Sequence, residues 1–248
     1  MQVTDILSIQ LYTLRSLNDL DKVLDAVGTA GYRYVEGIGS YLDDATAVKA
    51  KVDARGLRFS SSHVSLAALR ERPQAIIDAC RLLSFQHLFM PAVPPEQRDA
   101  DAAFWRSLGR ELGALSQRFA DAGIQLGYHN HNWELKPKDG STTALELMFA
   151  EAEGTPLTWQ ADVAWLVRGG AEPATWGATA IAWCLHMSKT SHPRGPRWTR
   201  TAGPMSALAC WTGNRCGSSA AAAAHIGWWW STTSPPTRPA PRAPASRI

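Results

Sequence analysis

Acidic residues are missing from the last 76 residues of the chain. Residues 173–248 contain no aspartate and no glutamate, although they contain eight of the 25 lysine and arginine residues. All 22 acidic residues lie at or before Glu172, together with the other 17 basic residues. The formal net charge of +3 therefore conceals an acidic part followed by a basic part. We expect the character of the sequence to change near residue 175.

The sequence also lacks the patterns that are typical of membrane proteins, secreted proteins and dinucleotide-binding domains. No apolar run approaches the roughly 18 residues that a membrane-spanning helix needs, and residues 1–5 lack the basic start and apolar core of a signal peptide. No GxGxxG turn follows the first predicted strand, which argues against a dinucleotide-binding domain. The four cysteines match neither a zinc-binding spacing nor a disulfide framework. The sequence predicts a cytoplasmic protein that does not span a membrane, and it is compatible with a homo-oligomer.

The acidic part alternates between short β-branched apolar runs and longer segments of helical periodicity. Six strands alternate with the five helices between them, as six βα units in series, which predicts a parallel α/β sheet. At 248 residues the chain has the usual length of a (β/α)₈ barrel, about 250 residues. The predicted strands are 6–14, 32–38, 57–64, 87–93, 124–131 and 157–165, and the predicted helices are 19–30, 43–55, 73–83, 102–122 and 143–151.

Polar side chains follow the ends of several predicted strands, and barrel enzymes carry their active sites at the carboxyl ends of strands. A single Gln or Glu at such a place is more often a structural hydrogen-bonding partner. Two histidines and a glutamate within six residues, beside an aspartate on the next strand, predict a site for Mn²⁺, Mg²⁺, Co²⁺ or Zn²⁺. The strand-end residues are Gln10, Glu36, His63, His129, His131, Glu134 and Asp162.

Five segments in this order resemble the xylose isomerase-like TIM barrels, in particular their sugar phosphate isomerase/epimerase group. The likeness covers residues 6–176. The resemblance implies a sugar or sugar phosphate as substrate and a proton transfer through an enediolate. The segments are QLYTLR from Gln10, GYRYVE from Gly31, SSHVSL from Ser61, GYHNHNWEL from Gly127 and ADVAWLVRGGAEPATW from Ala161.

The resemblance also implies one divalent metal, held by side chains from the fifth to the eighth strand. Glu134 and Asp162 match the first two ligands, although the glutamate of strand five aligns with His129 in several branches of the family. His186 falls near the place of the third ligand. The fourth ligand, a glutamate on strand eight, has no counterpart in this sequence.

The remaining roles follow from the same resemblance. Glu134 and His131 are predicted to carry the proton transfer. The residues predicted to bind the substrate around them are Gln10, Glu36, His63, His129 and Trp165. Among these, Trp165 is predicted to form a wall of the pocket. The endonuclease IV branch of the family, which binds nucleic acid, is disfavoured because its richer set of ligands for three metals is missing here.

The family's last three motifs occur after residue 176 only when the codons are shifted by one base. Residues 185–193 then permit AHVKDIAP, residues 198–211 permit DEDGWADVGxGxLD, and residues 225–233 permit HWVVVEHD if Ser231 has an AGY codon. The alternative is a divergent, genuinely basic tail. The shift also explains the missing acids, because GAC and GAG codons read one base off encode Thr, Arg and Ser.

The sequence therefore predicts two regions. Residues 1–176 form six units of the barrel, and residues 177–248 form a basic segment that is disordered from about residue 231, where Pro, Arg, Ala and Ser dominate. We expect the barrel to be incomplete or distorted after its sixth strand. The chain as written is then a weakly active isomerase or a non-catalytic remnant of the barrel.

The gene sequence tests the shifted frame. We expect one inserted or missing base between codons 174 and 180, and its correction should restore all three motifs. An intact reading frame in independently sequenced DNA, with codons that do not encode these motifs after a one-base shift, would contradict the prediction.

Overall fold

The computed structural model describes residues 7–171, which form a single parallel sheet with helices between its strands. The strand order follows the chain, so each strand lies beside the next one in sequence. The sheet contains β1 Ser8–Gln10, β2 Tyr34–Gly37, β3 Arg58–His63, β4 His87–Met90, β5 Gln125–His129 and, as its sixth strand, β8 Thr158–Gln160.

Seven α-helices lie in this part of the chain, and a small antiparallel hairpin, β6 Pro137–Asp139 with β7 Thr142–Thr143, follows β5. Because crossovers between parallel strands are right-handed, a strand order that never reverses places the crossover helices on one face, as in a barrel. The helices are α1 Leu20–Thr29, α2 Ala45–Asp53, α3 Leu66–Glu71, α4 Pro73–Leu82, α5 Ala102–Asp121, α6 Ala144–Glu151 and α7 Val163–Arg168.

The barrel is not closed within residues 7–171, where β1 and β8 are the two edges of the sheet. This agrees with the predicted incomplete (β/α)₈ architecture. The assignments for residues 177–248, including His186, lie outside the described residues. None of the helices in residues 7–171 is long and apolar enough to cross a membrane.

Six of the seven α-helices in residues 7–171 begin at a residue whose side chain caps them, and the exception, α4, begins at Pro73. The Asp19 side chain accepts a hydrogen bond from the Lys22 amide at the start of α1, and Thr143 forms a capping box with Glu146 at α6. The apolar periodicity of α1 predicts a face of Leu20, Val23, Leu24 and Val27, of which the last three are buried and Leu20 is half-buried. The 3.6-residue period therefore identified the inward face correctly.

All six strands of the parallel sheet are shorter than predicted, and the first and the sixth differ most because helical structure follows them closely. Among the described residues of the predicted first strand, Ser8–Gln10 are extended, and Leu11–Leu17 form a 3₁₀ helix in which Leu11 is buried. The sixth strand ends at Gln160, and the Asp162 side chain then caps α7. Trp165 therefore lies in a helix and not at a strand end. The short helix α3 and the β6–β7 hairpin were not predicted.

Gly109 allows α5 and α6 to pack closely. A Cβ atom at this position would lie 2.1 Å from the Met148 carbonyl oxygen and 2.9 Å from its carbonyl carbon. Both are backbone atoms of α6, so a side chain at Gly109 could be accommodated only by moving one helix away from the other.

We therefore expect Gly109→Ala to lower the free energy of unfolding by about 1–3 kcal/mol. Gly28→Ala is the matched control, because Gly28 lies in α1 and a Cβ atom there would meet no neighbouring atom within 4 Å. Alanine should raise the free energy of unfolding at that position by about 0.5–1 kcal/mol. Urea unfolding followed by circular dichroism measures both changes, and equal effects of the two substitutions would contradict this account.

Candidate active site

A polar cluster lies across the carboxyl ends of the parallel strands. The sheet register aligns Gln10 with Glu36, Glu36 with Ser61, and His129 with Gln160. Side chains of neighbouring strands that are aligned in register point to the same face. Since this cluster draws on several different strands, its assembly depends on the register of the whole sheet.

Glu36 lies at the centre of the cluster and has no solvent exposure. Its Oε1 accepts a hydrogen bond from Gln10 Nε2 at 2.9 Å, and its Oε2 accepts from Ser61 Oγ at 2.6 Å and from Gln160 Nε2 at 2.8 Å. His63 Nε2 lies 3.1 Å from Oε1. Burial alone would raise the pKa of Glu36, but the charge of His63 and these donors lower it to about 2. Glu36 is therefore an ionised carboxylate inside the protein.

His63 is the charged partner of Glu36. Its Nε2 lies 2.9 Å from Gln160 Oε1 as well as close to Glu36. Burial alone would lower the pKa of His63, but the negative charge of Glu36 and the two hydrogen bonds raise it above its ordinary value. The pair thus favours a positive imidazolium beside a negative carboxylate, which offsets the cost of burying either charge alone.

His129 has the opposite character, although it is only 4.8 Å from His63 between ring centroids. Burial, followed by the charges of His63 and His131, holds the pKa of His129 well below its ordinary value. Its Nδ1 lies 2.8 Å from Gln160 Oε1, and its Nε2 lies 3.8 Å from Asp162 Oδ2. Because His129 is neutral, this last contact is not an ion pair.

Asp162 is fixed in place by the start of α7 and by Asn130. Its Oδ1 accepts a hydrogen bond from the Trp165 amide at 3.0 Å, and its own amide donates to Asn130 Oδ1 at 2.9 Å. Trp159 Nε1 donates to the same Asn130 oxygen at 2.9 Å. Burial raises the pKa of Asp162. These bonds leave Oδ2 as the carboxylate oxygen that faces His129.

Glu134 lies outside this cluster. It follows β5 in a short 3₁₀ turn, and its Oε1 accepts from Tyr128 Oη at 2.7 Å while its Oε2 accepts from the His131 amide at 2.9 Å. Burial raises the pKa of Glu134 to about 7. Both oxygens are thus engaged in holding the turn after β5, and the role of Glu134 as a metal ligand stays a prediction.

A cavity of about 600 Å³ opens above the cluster. Gln10, His63 and His129 reach it from the sheet, and an aromatic wall bounds it on one side. In this wall His131 stacks on Trp133 with centroids 4.2 Å apart and an interplanar angle of 12°. Trp165 lies 5.1 Å from His131, so it forms part of the same wall.

His131 is neutral near pH 7. Burial, with the charges of His63 and Arg98, lowers its pKa to about 4. Its buried Nδ1 has no hydrogen-bond partner within the described part of the chain. The Arg98 guanidinium lies 3.9 Å from the Trp133 ring centroid and also lines the cavity, so a positive charge lies against the aromatic wall.

The structure brings together most of the residues that the sequence singled out. Gln10, Glu36, His63 and His129 form the cluster, and Asp162 adjoins it. His131 and Trp165 line the cavity. Their functional roles stay predictions. Within residues 7–171, no group of three or more His, Cys, Asp or Glu side chains is arranged to hold a metal ion.

Sequence reasoning missed Gln160, which connects three members of the cluster. The predicted sixth strand ran to residue 165, so Gln160 was placed inside the strand instead of at its end. The available signal was the two-residue spacing from Asp162, since alternate residues of a strand share a face.

Comparison with known proteins supports the fold. No family model and no curated protein matches the chain. Among solved structures, a sugar phosphate isomerase/epimerase from Parabacteroides distasonis is 22% identical with a TM-score of 0.59, and the match covers 73% of this chain and 72% of that one. A probable 3-DHS dehydratase from Bacillus anthracis is 13% identical with a TM-score of 0.54, covering 71% and 70%. The chain therefore has the fold of the xylose isomerase-like TIM barrels.

The raised pKa of Glu134 predicts a specific pH dependence of stability. A folded-state pKa of about 7, above the ordinary value of 4.5, means that the folded protein binds the proton more tightly than the unfolded chain does. Stability from this group is fully present below pH 4.5 and is lost as the pH rises to about 7, by up to about 1.4 kcal/mol per pH unit. We expect Glu134→Gln to remove this loss.

The measurement is urea unfolding of both proteins at several pH values between about 4 and 8, which bracket this titration. Glu96→Gln makes the same chemical change at an exposed position and serves as the control. A difference between wild type and Glu134→Gln that stays constant across this range would show that Glu134 does not titrate there.

Proposed function

We propose that the protein is a divalent-metal-dependent isomerase or epimerase of a sugar or sugar phosphate. The reaction would move a proton at the carbon beside the substrate carbonyl. The observation that carries this proposal is the Glu36–His63 charge pair, which lies beside the neutral His129 at the floor of a cavity of sugar size. The likeness of the fold to a sugar phosphate isomerase/epimerase supports the same reaction class.

The described residues offer a partial fit to a divalent cation. His129 Nε2 and Asp162 Oδ2 are 3.8 Å apart, a separation that two bonds of about 2.0–2.2 Å can span. Imidazole and carboxylate are the donors expected for such an ion. Glu36 is saturated by its own hydrogen bonds, and Glu134 lies elsewhere. The predicted third ligand, His186, belongs to the part of the chain that is not described.

A cation held there would stabilise the negative charge that develops on a substrate oxygen when the neighbouring carbon loses its proton. The protein's own groups have complementary tasks. His63, kept charged by Glu36, would donate a hydrogen bond to a substrate oxygen. His131 has a pKa of about 4 and lines the cavity, so its neutral ring would serve as the proton acceptor that the sequence predicts.

The aromatic wall has a role in binding the substrate. The apolar faces of Trp133 and Trp165 would pack against the C–H groups of a sugar ring, while Gln10 and His63 would bind its hydroxyl groups. Exclusion of water by this packing protects the carbanionic stage of the reaction from unwanted protonation.

A second candidate is a barrel that binds sugar without catalysis. It is favoured by the small number of cation donors within residues 7–171 and by the altered sequence after residue 176. The two candidates differ in one observable, the exchange of a substrate proton with solvent.

We expect the full chain with Mn²⁺ to incorporate deuterium from D₂O at the carbon beside the carbonyl of at least one sugar. Ketoses, aldoses and their phosphates are tested, with ¹H NMR as the readout. Asp162→Asn keeps an N-cap for α7 but removes the charge, so exchange should fall at least about 10-fold with weaker Mn²⁺ binding in calorimetry. Glu96→Gln is the control.

Mn²⁺ and sugar binding without any exchange would support the non-catalytic candidate. Loss of Mn²⁺ binding in Glu134→Gln, with normal binding in Asp162→Asn, would contradict the proposed position of the cation and favour the assignment made from the sequence alone.

A further inference from the structure

Gln160 contacts three titratable side chains from three different strands. Its Nε2 donates to Glu36 Oε2 at 2.8 Å, and its Oε1 lies 2.9 Å from His63 Nε2 and 2.8 Å from His129 Nδ1. The residue is only 3% exposed, so these contacts do not compete with solvent. A single amide therefore connects the charge pair with the neutral histidine.

The orientation of this amide follows from its neighbours. Glu36 is an ionised carboxylate and can only accept hydrogen bonds, so the amide nitrogen must face it. The opposite orientation would place an amide oxygen 2.8 Å from a carboxylate oxygen, with no proton between them. The Gln160 oxygen consequently faces both histidines.

An amide oxygen accepts hydrogen bonds and cannot donate them. His63 Nε2 and His129 Nδ1 must therefore each carry a hydrogen. For His63 this is compatible with the charged imidazolium. For His129 the 2.8 Å contact means that a ring with a single proton carries it on Nδ1, which determines the tautomer and leaves the electron pair on Nε2.

We propose that Gln160 is a positioning residue that fixes His129 in the Nδ1-protonated tautomer, with its Nε2 electron pair directed toward Asp162 Oδ2. Glu36 determines the orientation of the Gln160 amide, and the amide oxygen in turn determines which nitrogen of His129 carries the proton. Metal-binding histidines commonly donate their other ring N–H to an oxygen acceptor in this way. The inference thus deepens the proposed function, but the tautomer itself does not depend on that function.

The test is the ¹⁵N NMR spectrum of the histidine rings in the full chain, without cation and without sugar. Protonated and unprotonated ring nitrogens resonate in separate regions, so the spectrum reports the tautomer directly. The signals of His129 are assigned by their loss in His129→Gln. We expect the wild type to show protonated Nδ1 and unprotonated Nε2 at this residue, and a protonated Nε2 would overturn the proposal.

Two variants test the cause. Gln160→Met keeps the length of the side chain but removes the acceptor, so most of His129 should shift to the Nε2-protonated form, which can donate to Asp162. Glu36→Gln leaves Gln160 in place but removes the carboxylate that orients its amide, so the amide can turn over and a mixture of His129 tautomers is expected. An unchanged Nδ1-protonated spectrum in both variants would overturn the proposal.

Gln117→Met is the matched control, because Gln117 is an exposed residue of α5 whose side chain donates to Asp121. It should leave the His129 signals unchanged. If Gln160→Met does not fold, Glu36→Gln and the wild-type spectrum decide the outcome. A confirmed tautomer without deuterium exchange into any sugar would count against the proposed function and not against the positioning role.

Discussion

The site depends on a negative charge that is held inside the barrel without contact with water. Placing a carboxylate in a protein interior is costly unless hydrogen bonds and an opposite charge replace its hydration. Glu36 receives both, from three neutral donors and from His63. The arrangement makes the neighbouring side chains interdependent, because each donor is oriented by the same two oxygens. Rearranging the Glu36 carboxylate would therefore alter His63 and Gln160 at the same time.

This central charge produces two histidines of opposite character within one cavity. His63 contacts the carboxylate and its pKa is raised, whereas the His129 ring contacts the Gln160 amide oxygen and its pKa is lowered. The difference arises because His63 contacts the Glu36 carboxylate directly, whereas burial and the charges of His63 and His131 act on His129. Proton transfer at the carbon next to a carbonyl needs two kinds of group. One is a positive donor to the carbonyl oxygen, and the other is a neutral group that can accept a proton or bind a cation.

The sheet topology explains how distant segments form this cluster. Strands that follow each other in sequence also lie next to each other, so the carboxyl ends of β1, β2, β3, β5 and β8 converge on one side. The packing of α5 on α6, where Gly109 permits close approach, supports the β5–β8 end of this arrangement. A shift in register at any strand that supplies a donor would remove that donor from Glu36. The strand register that buries the apolar core therefore also positions the polar side chains of the site.

The sequence by itself determined the alternation of strands and helices, the buried faces of the helices and the set of polar residues at strand ends. Periodicity and capping residues are local properties, which is why α1, α5 and α6 were predicted nearly to their ends. Position at a strand end also placed Gln10, Glu36, His63 and His129 on the correct side of the sheet.

Only the tertiary structure decided what these side chains contact. Glu134 and Asp162 are both acids just after a strand, yet Glu134 bonds to Tyr128 and its own turn, whereas Asp162 caps α7 and faces His129. The only sequence signal for Gln160 was its spacing from Asp162, because its role comes from three partners that are far apart in sequence. The direction of a side chain in a turn and the partners of a buried amide depend on non-local packing, which the spacing of residues along the chain does not encode.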